Sequence, residues 1–326
     1  LAVKRFNIVR NILDKSIFDE NIIHIILTEY WKDLKNKRKV LVDWIDIEEL
    51  EWDSLCLNPN AIDLLENNID KINWSAICCN PNAINLIETQ LKEELNEDEY
   101  YNFWFGLTQN PNAIEILLKN TNKIHWTVLA RNRNAIKILE ERLEQYSFAM
   151  QYSIIDWSML SENPNTIKIL ENNIDVIDWS MLSTNPNAIE LLEKNIDIID
   201  WIFLSGNPNA IRLLENNLNK INWQCLSGNP NAIHLLENNL DKIDWYELST
   251  NENAIHLLEN NLDKINWSML CINPNAIKLL EPNKINWAFL SINPNAIDLL
   301  KNNQDKIDWD KLSLNPSIFE DEPMPT

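Results

Sequence analysis

An Asn-Pro-Asn-Ala-Ile tract, or a close variant of it, recurs twelve times between Asn58 and Asn315, and so regular a recurrence marks a repeat array. The tracts begin at Asn58, Asn80, Asn110, Asn132, Asn163, Asn185, Asn207, Asn229, Asn251, Asn273, Asn293 and Asn315. Their spacings are 22, 30, 22, 31, 22, 22, 22, 22, 22, 20 and 22 residues. A tryptophan stands six residues before each of these asparagines, from Trp52 to Trp309, which places twelve of the fourteen tryptophans. Units are numbered 1 to 12 after these tracts.

The stretch from Ile177 to Asn195 represents the rest. Asp178 is a good helix N-cap, and its counterparts are Asp or Asn in nine of twelve units. Ile177 before it and Leu182 after it form a hydrophobic staple that sets the entry to a short first helix. Asn185 is expected to cap a second helix, with Pro186 at its first position, where a missing N–H costs nothing. Ten of twelve units carry that proline, Arg133 and Glu252 replacing it in the others. Ala188, Ile189, Leu191 and Leu192 form the apolar stripe of the second helix. Helices this short are unstable alone and must bury their stripes on neighbours.

The expected fold is therefore all-α: an α-solenoid of twelve two-helix units spanning residues 52–326. Eleven steps of about 8–10 Å between packed helices make a rod about 100 Å long. The alternative is a leucine-rich-repeat-like solenoid, whose units have similar lengths. Alignment on Leu182 and Asn185 counts against it, because it turns Ser180 inward and sets a proline after the asparagine.

Residues 1–51 lack the signature but contain helical patterns, and are expected to cap unit 1, since solenoid ends must shield the core. The run from Ile22 to Leu27 is too short to span a membrane and reads as a buried helix. The last unit stops at Phe319, and the polar tail after it is expected to fray. The chain begins with Leu1 rather than Met, as a trimmed N-terminus would.

Two units are lengthened, near 89–103 and 141–155. Both insertions follow a second helix, so both should protrude from one edge of the rod. They carry Tyr100, Tyr101 and Phe103 in one and Tyr146, Phe148 and Tyr152 in the other. Aromatics dominate binding hot spots, so these six are candidate partner-binding residues. The competing reading is a longer second helix with its aromatics packed on a neighbour. A further candidate surface is the row after Ala-Ile, which varies from unit to unit and includes Arg212, His234 and His256.

Composition narrows the function. The net charge of −21 repels nucleic acid and anionic membrane alike. The one basic run, Lys35 to Lys39, reads as a solvated turn. Three glycines in 326 residues leave no phosphate-cradling loop, so no nucleotide cofactor is expected. Cys56, Cys78 and Cys271 occupy a position that serine holds in most units, so they read as small spacers. Five cysteines without a spacing motif point to a reducing compartment and no metal. Asn73 and Asn266 match the glycosylation sequon only because they replace a capping aspartate. The carboxylates recur in register on exposed faces, with no singular pair of the kind acid–base catalysis needs, so no enzyme activity is expected.

Units such as Asn229 to Trp245 resemble short-repeat proteins of large nucleocytoplasmic DNA viruses of the giant-virus type, over about residues 52–319. Their Ala-Ile-x-Leu-Leu-Glu helix is also loosely similar to the second helix of ankyrin repeats, without the Thr-Pro-Leu-His tract. The resemblance implies interaction rather than chemistry. The expected role is an intracellular scaffold, in the host cytoplasm, that binds host or viral proteins. The alternative is a structural virion component, such as a minor capsid or internal protein.

Overall fold

A computed structural model of the chain describes residues 2–14, 20–33, 38–91, 97–145 and 154–324. It is an all-α solenoid. Each regular unit holds a first helix, a turn through Asn-Pro-Asn, a second helix and a 3-10 turn, as in Trp179–Thr184, Ile189–Lys194 and Ile196–Ile198. The only strands among the described residues are Lys39–Leu41 (β1) and Phe319–Asp321 (β2), near the two chain ends. No unit has a strand to build a leucine-rich repeat from, so that alternative falls.

The first helix forms as its sequence predicts. The Asp178 side chain accepts a hydrogen bond from the Met181 N–H, and Leu182 is fully buried behind it. The asparagine of the tract behaves differently. The second helix starts at Ile189, four residues beyond Asn185, so Asn185 does not cap it. Its Oδ1 instead accepts from the Asn187 N–H at 3.0 Å, closing an Asx turn. Its amide is thereby free to reach the preceding unit, where Nδ2 donates to the carbonyls of Ser161 and Asn163, both at 2.9 Å.

This contact repeats in every unit. All twelve asparagines are buried, and each donates to two carbonyls of the unit before it. A buried amide left unpaired would cost about 1–3 kcal/mol, so the ladder fixes the register of the stack. Serine adds a second tie. Ser183 Oγ donates to the Trp179 carbonyl at 2.7 Å and accepts from the Asp200 N–H at 3.1 Å. The position is thus more than a small spacer, because it carries a hydrogen bond to the next unit. Cys271 Sγ makes the same two contacts, whereas Ala130 has no group to make them.

The preceding unit of unit 1 is unit 12. Asn58 Nδ2 donates to the Ser313 and Asn315 carbonyls at 2.9 and 3.0 Å, Asn60 Nδ2 donates to the Pro316 carbonyl, and the Glu51 N–H donates to Ser313 Oγ. The helices Trp309–Leu314 and Trp52–Leu57 pack on each other as neighbours do elsewhere. The array therefore closes into a ring, and the expected open rod is corrected. The reason lies in the shape of the unit. Among the described residues first helices pack on one another at ten of the twelve junctions, the seam included, while no two second helices pack as closely, so each unit is a wedge with its first helix inside. Twelve wedges complete a turn at about 30° each. Twelve inner steps of about 8–10 Å enclose a bore about 30–40 Å across between helix axes.

The seam is a composite. Unit 12 ends after its first helix and tract, with no second helix of its own. The 3-10 turn that should follow comes from the other end of the chain: Ile47–Glu49, then Leu50 and Glu51, stand before Trp52 as Ile196–Ile198, Ile199 and Asp200 stand before Trp201. β2 pairs antiparallel with β1, so the polar tail is held at its start rather than frayed. The first helix of unit 1 meets that of unit 12, while the N-terminal segment lies over the seam and packs β1 on the second helix of unit 1, Ile62–Glu66. Its helices Ala2–Leu13 (α1) and Glu20–Asp33 (α2) form a separate small core around Phe6, Leu27 and Trp31, which also contacts Met324. Of the Ile22–Leu27 run only Leu27 is buried. Ile22, Ile25 and Ile26 are exposed, which overturns the buried-helix reading.

Candidate functional site

Regular units turn one tryptophan each toward a partly open position, and most cover it with a lysine of their own. Lys220, Lys242 and Lys264 lie 4.5, 4.5 and 4.8 Å from the ring centroids of Trp201, Trp223 and Trp245. These rings are structural: each indole face is covered by an ammonium group of its own unit.

Unit 3 departs from this pattern. Its first helix starts early and runs over Glu97–Gln109, so the insertion extends the first helix of unit 3 rather than the second helix of unit 2, which is Ile84–Gln90. Helical periodicity then sorts the aromatics. Phe103, Trp104 and Leu107 face the core and are fully or almost fully buried. Phe103 is therefore a packing residue, and its place among the partner-binding candidates is corrected. Tyr101 and Phe105, four apart, face outward and are 57% and 37% exposed, with Tyr100 beside them at 41%.

These rings form one patch. Tyr101 and Phe105 lie 6.3 Å apart, and both meet the His125 imidazole of unit 4 edge-on, at 4.7 and 5.7 Å. Lys123 Nζ sits 5.3 Å from the Tyr100 ring and 4.8 Å from Trp104. His125 stands where other units carry the capping Asp or Asn, yet its side chain caps nothing. It serves as an aromatic wall, and burial holds its pKa below the usual 6.5. Sequence reasoning found Tyr100 and Tyr101 but missed Phe105 and His125. The four-residue step from Tyr101 to Phe105 was the available signal, hidden while the insertion was assigned to the end of the second helix of unit 2.

Gly106 makes the helix fit. A Cβ there would lie 3.0 Å from Cys78 Cβ and 3.3 Å from both Cys79 Sγ and the Ser75 carbonyl, so only glycine allows this approach to unit 2. The second insertion prolongs a second helix, Ile136–Gln145, as the competing reading had it. Tyr146, Phe148 and Tyr152 lie outside the described residues.

The variable row is not a free surface in its middle. Arg212 pairs with Glu193, His234 Nε2 shares a 2.8 Å hydrogen bond with Glu215 Oε1, and His256 does the same with Glu237. Each link joins a second helix to that of the preceding unit. All six side chains keep substantial solvent exposure, so each link is a weak tie.

One further concavity arises where the spacing shortens to 20 residues. Unit 10 has a 3-10 turn, Ile277–Leu279, in place of its second helix. The gap left is a cleft of about 590 Å³, lined by Leu280, Pro282, Ile285, Leu299 and Lys306 among others. Among the described residues no three His, Cys, Asp or Glu side chains converge as a metal site, and no helix is long and apolar enough to cross a membrane. Cys56, Cys78 and Cys271 are buried, and burial raises their thiol pKa values, which leaves them protonated and unreactive near neutrality. Comparisons with protein-family models, with curated proteins and with solved structures give no match.

Proposed function

We propose that the chain is a non-enzymatic protein-interaction scaffold whose contact surface centres on Tyr100, Tyr101 and Phe105. The observation that carries this reading is the aromatic patch itself. Unit 3 buries its tryptophan, Trp104, yet lengthens its first helix and so gathers three exposed aromatic rings beside Lys123 and His125. Exposed aromatics with few rotatable bonds lose little entropy on binding and bury large areas, which is why they recur at hot spots. The rigid ring beneath pre-organises them, which lowers the cost of association further. A net charge of −21 favours protein partners over nucleic acid or anionic lipid. The likeness to repeat proteins of large DNA viruses makes infected-cell lysate the first place to look.

The test is affinity capture read by mass spectrometry, with the intact chain beside a Tyr101→Ala/Phe105→Ala variant of unchanged circular dichroism and melting temperature. Proteins retained by the intact chain and depleted at least tenfold with the variant support the patch. Equal recovery by both would remove it as the binding surface.

A further inference from the structure

The ring has twelve junctions of one chemistry, but eleven are also joined by the chain and one is not. At an internal junction, such as that between units 8 and 9, the residues from Asn239 to Asp244 tether the two faces, so a broken contact recloses in place. At the seam the two faces belong to opposite ends of the chain. Nothing covalent holds Asn315 near Asn58.

The seam is also built more lightly. Its cap residue Glu51 makes no side-chain capping bond, whereas Asp244 caps two N–H groups at an internal junction. On the unit 12 side its outer layer has no second helix, only the three-residue pair β1–β2, which packs on the second helix of unit 1, Ile62–Glu66. The ion pairs across the seam are open to solvent: Lys39 with Asp321 and Lys301 with Asp43. The clasp above it rests on the small α1–α2 core, which leaves Ile8, Ile12, Ile22 and Ile25 exposed. That core holds the tail chiefly through Trp31 Nε1, which donates to the Glu322 carbonyl at 3.1 Å, and through Met324.

We propose that the ring opens at this seam while its units stay folded, so that the molecule is a gated ring closed by a clasp of residues 38–42 and 319–324. Opening costs one junction and the clasp. It converts the closed disc into an open turn and admits an elongated partner into the bore from the side. The proposal is independent of which surface a partner occupies.

Amide hydrogen exchange on the full chain tests it, because the same hydrogen bond can be read at the seam and inside the array. The Glu51 N–H donates to Ser313 Oγ at 2.9 Å, and the Asp244 N–H donates to Ser227 Oγ at 2.9 Å. After correction for intrinsic rates, Glu51 should exchange at least about tenfold faster than Asp244. Locking the clasp should remove the difference. Val40 and Glu320 are partners across β1–β2, so a Val40→Cys/Glu320→Cys pair, with Cys79→Ser and Cys225→Ser to clear the accessible thiols, places a disulfide there. Oxidation should bring Glu51 to the rate of Asp244, and reduction should restore the gap. Equal protection of the two amides in the unmodified chain would overturn the proposal. So would fast exchange at Glu51 that the disulfide leaves unchanged, since that is fraying of one turn. If the pair does not oxidise, Asn58→Ala decides: it should speed exchange at Glu51 and at Val42, whose N–H donates to the Ile318 carbonyl at 2.9 Å across the seam, but not at Asp244, and a common acceleration would overturn the gate.

Discussion

Internal junctions and the seam share the asparagine and serine contacts and differ in the helix cap and in what surrounds them. Between units 6 and 7 an asparagine donates two hydrogen bonds, a serine links a helix cap to the unit before, and second helices flank the contact. Between units 12 and 1 the asparagine and the serine are the same, but the flank is a strand pair and the chain is interrupted. Repeat stability is a sum of unit and nearest-neighbour terms. The seam therefore shows what continuity of the chain and flanking second helices together add to a junction whose asparagine and serine bonds are the same.

The largest effect should come from the ladder. Asn207→Ala removes two donations, at 2.9 and 3.0 Å, and the Asx acceptor for Asn209; the buried Ser183 carbonyl loses this donor, while that of Asn185 keeps the Ala188 N–H. The expected loss is about 2–4 kcal/mol in urea unfolding. Asn58→Ala removes the equivalent three bonds at the seam. It should cost less than half as much in global unfolding and enlarge the radius of gyration measured by X-ray scattering. Equal losses with no change in dimensions would mean that the seam is as firm as any other junction.

Internal junctions are not all alike, and the two glycines of first helices sharpen the point. Gly106→Ala forces a Cβ against Cys78 Cβ and the Ser75 carbonyl, neither of which can swing away. A cost of about 1–3 kcal/mol is expected. Gly206→Ala meets nothing within 4 Å in the Trp201–Gly206 helix and should stabilise by about 0.5–1 kcal/mol. Thermal melts of the two variants shifting in the same direction would contradict the tight junction between units 2 and 3.

Ser205→Ala removes a 2.7 Å bond to the Trp201 carbonyl and strands the Asn222 N–H, at an expected cost of about 1–2 kcal/mol. Ser313→Ala removes the same pair at the seam and should register mainly as faster exchange at Glu51. If melting temperature falls equally for both, the serine tie depends on its own two bonds alone.

Much of this was readable in the residues, and the failures have physical causes. The Asp178 cap, the staple and the apolar stripe depend on neighbours within a few positions, and all formed as the sequence implies. The asparagine was misread because Asn before Pro suits an N-cap and an Asx turn equally. What decides between them is a carbonyl 22 residues away. Ring closure was missed because repeat spacing gives the step along a stack but not the angle between steps, which follows from unequal layers. A clue was present at the ends: Ile47 to Trp52 match the tail of a unit, and Asn315 to Phe319 match the head of one. The patch on unit 3 was half legible, since Tyr100 and Tyr101 could be named while the helix that aims Tyr101 and Phe105 to one side could not.

The smallest effect separates two kinds of lysine. At the seam, Lys39 Nζ lies 2.8 Å from Asp321, with both side chains substantially exposed. Inside the array, Lys242 Nζ lies 4.5 Å over the Trp223 ring. Lys39→Gln and Lys242→Gln should each cost about 0.2–1 kcal/mol, too little to rank by magnitude. Salt ranks them instead. An exposed ion pair is screened once the Debye length falls to a few ångströms, whereas an ammonium held directly over an indole face is screened less. Raising ionic strength from about 0.05 to 0.5 M should erase the effect of Lys39→Gln on seam exchange and leave most of that of Lys242→Gln on the melt. A Lys39 effect that survives high salt would mean that the clasp is held by strand pairing and packing alone, and that its charges contribute nothing to closure.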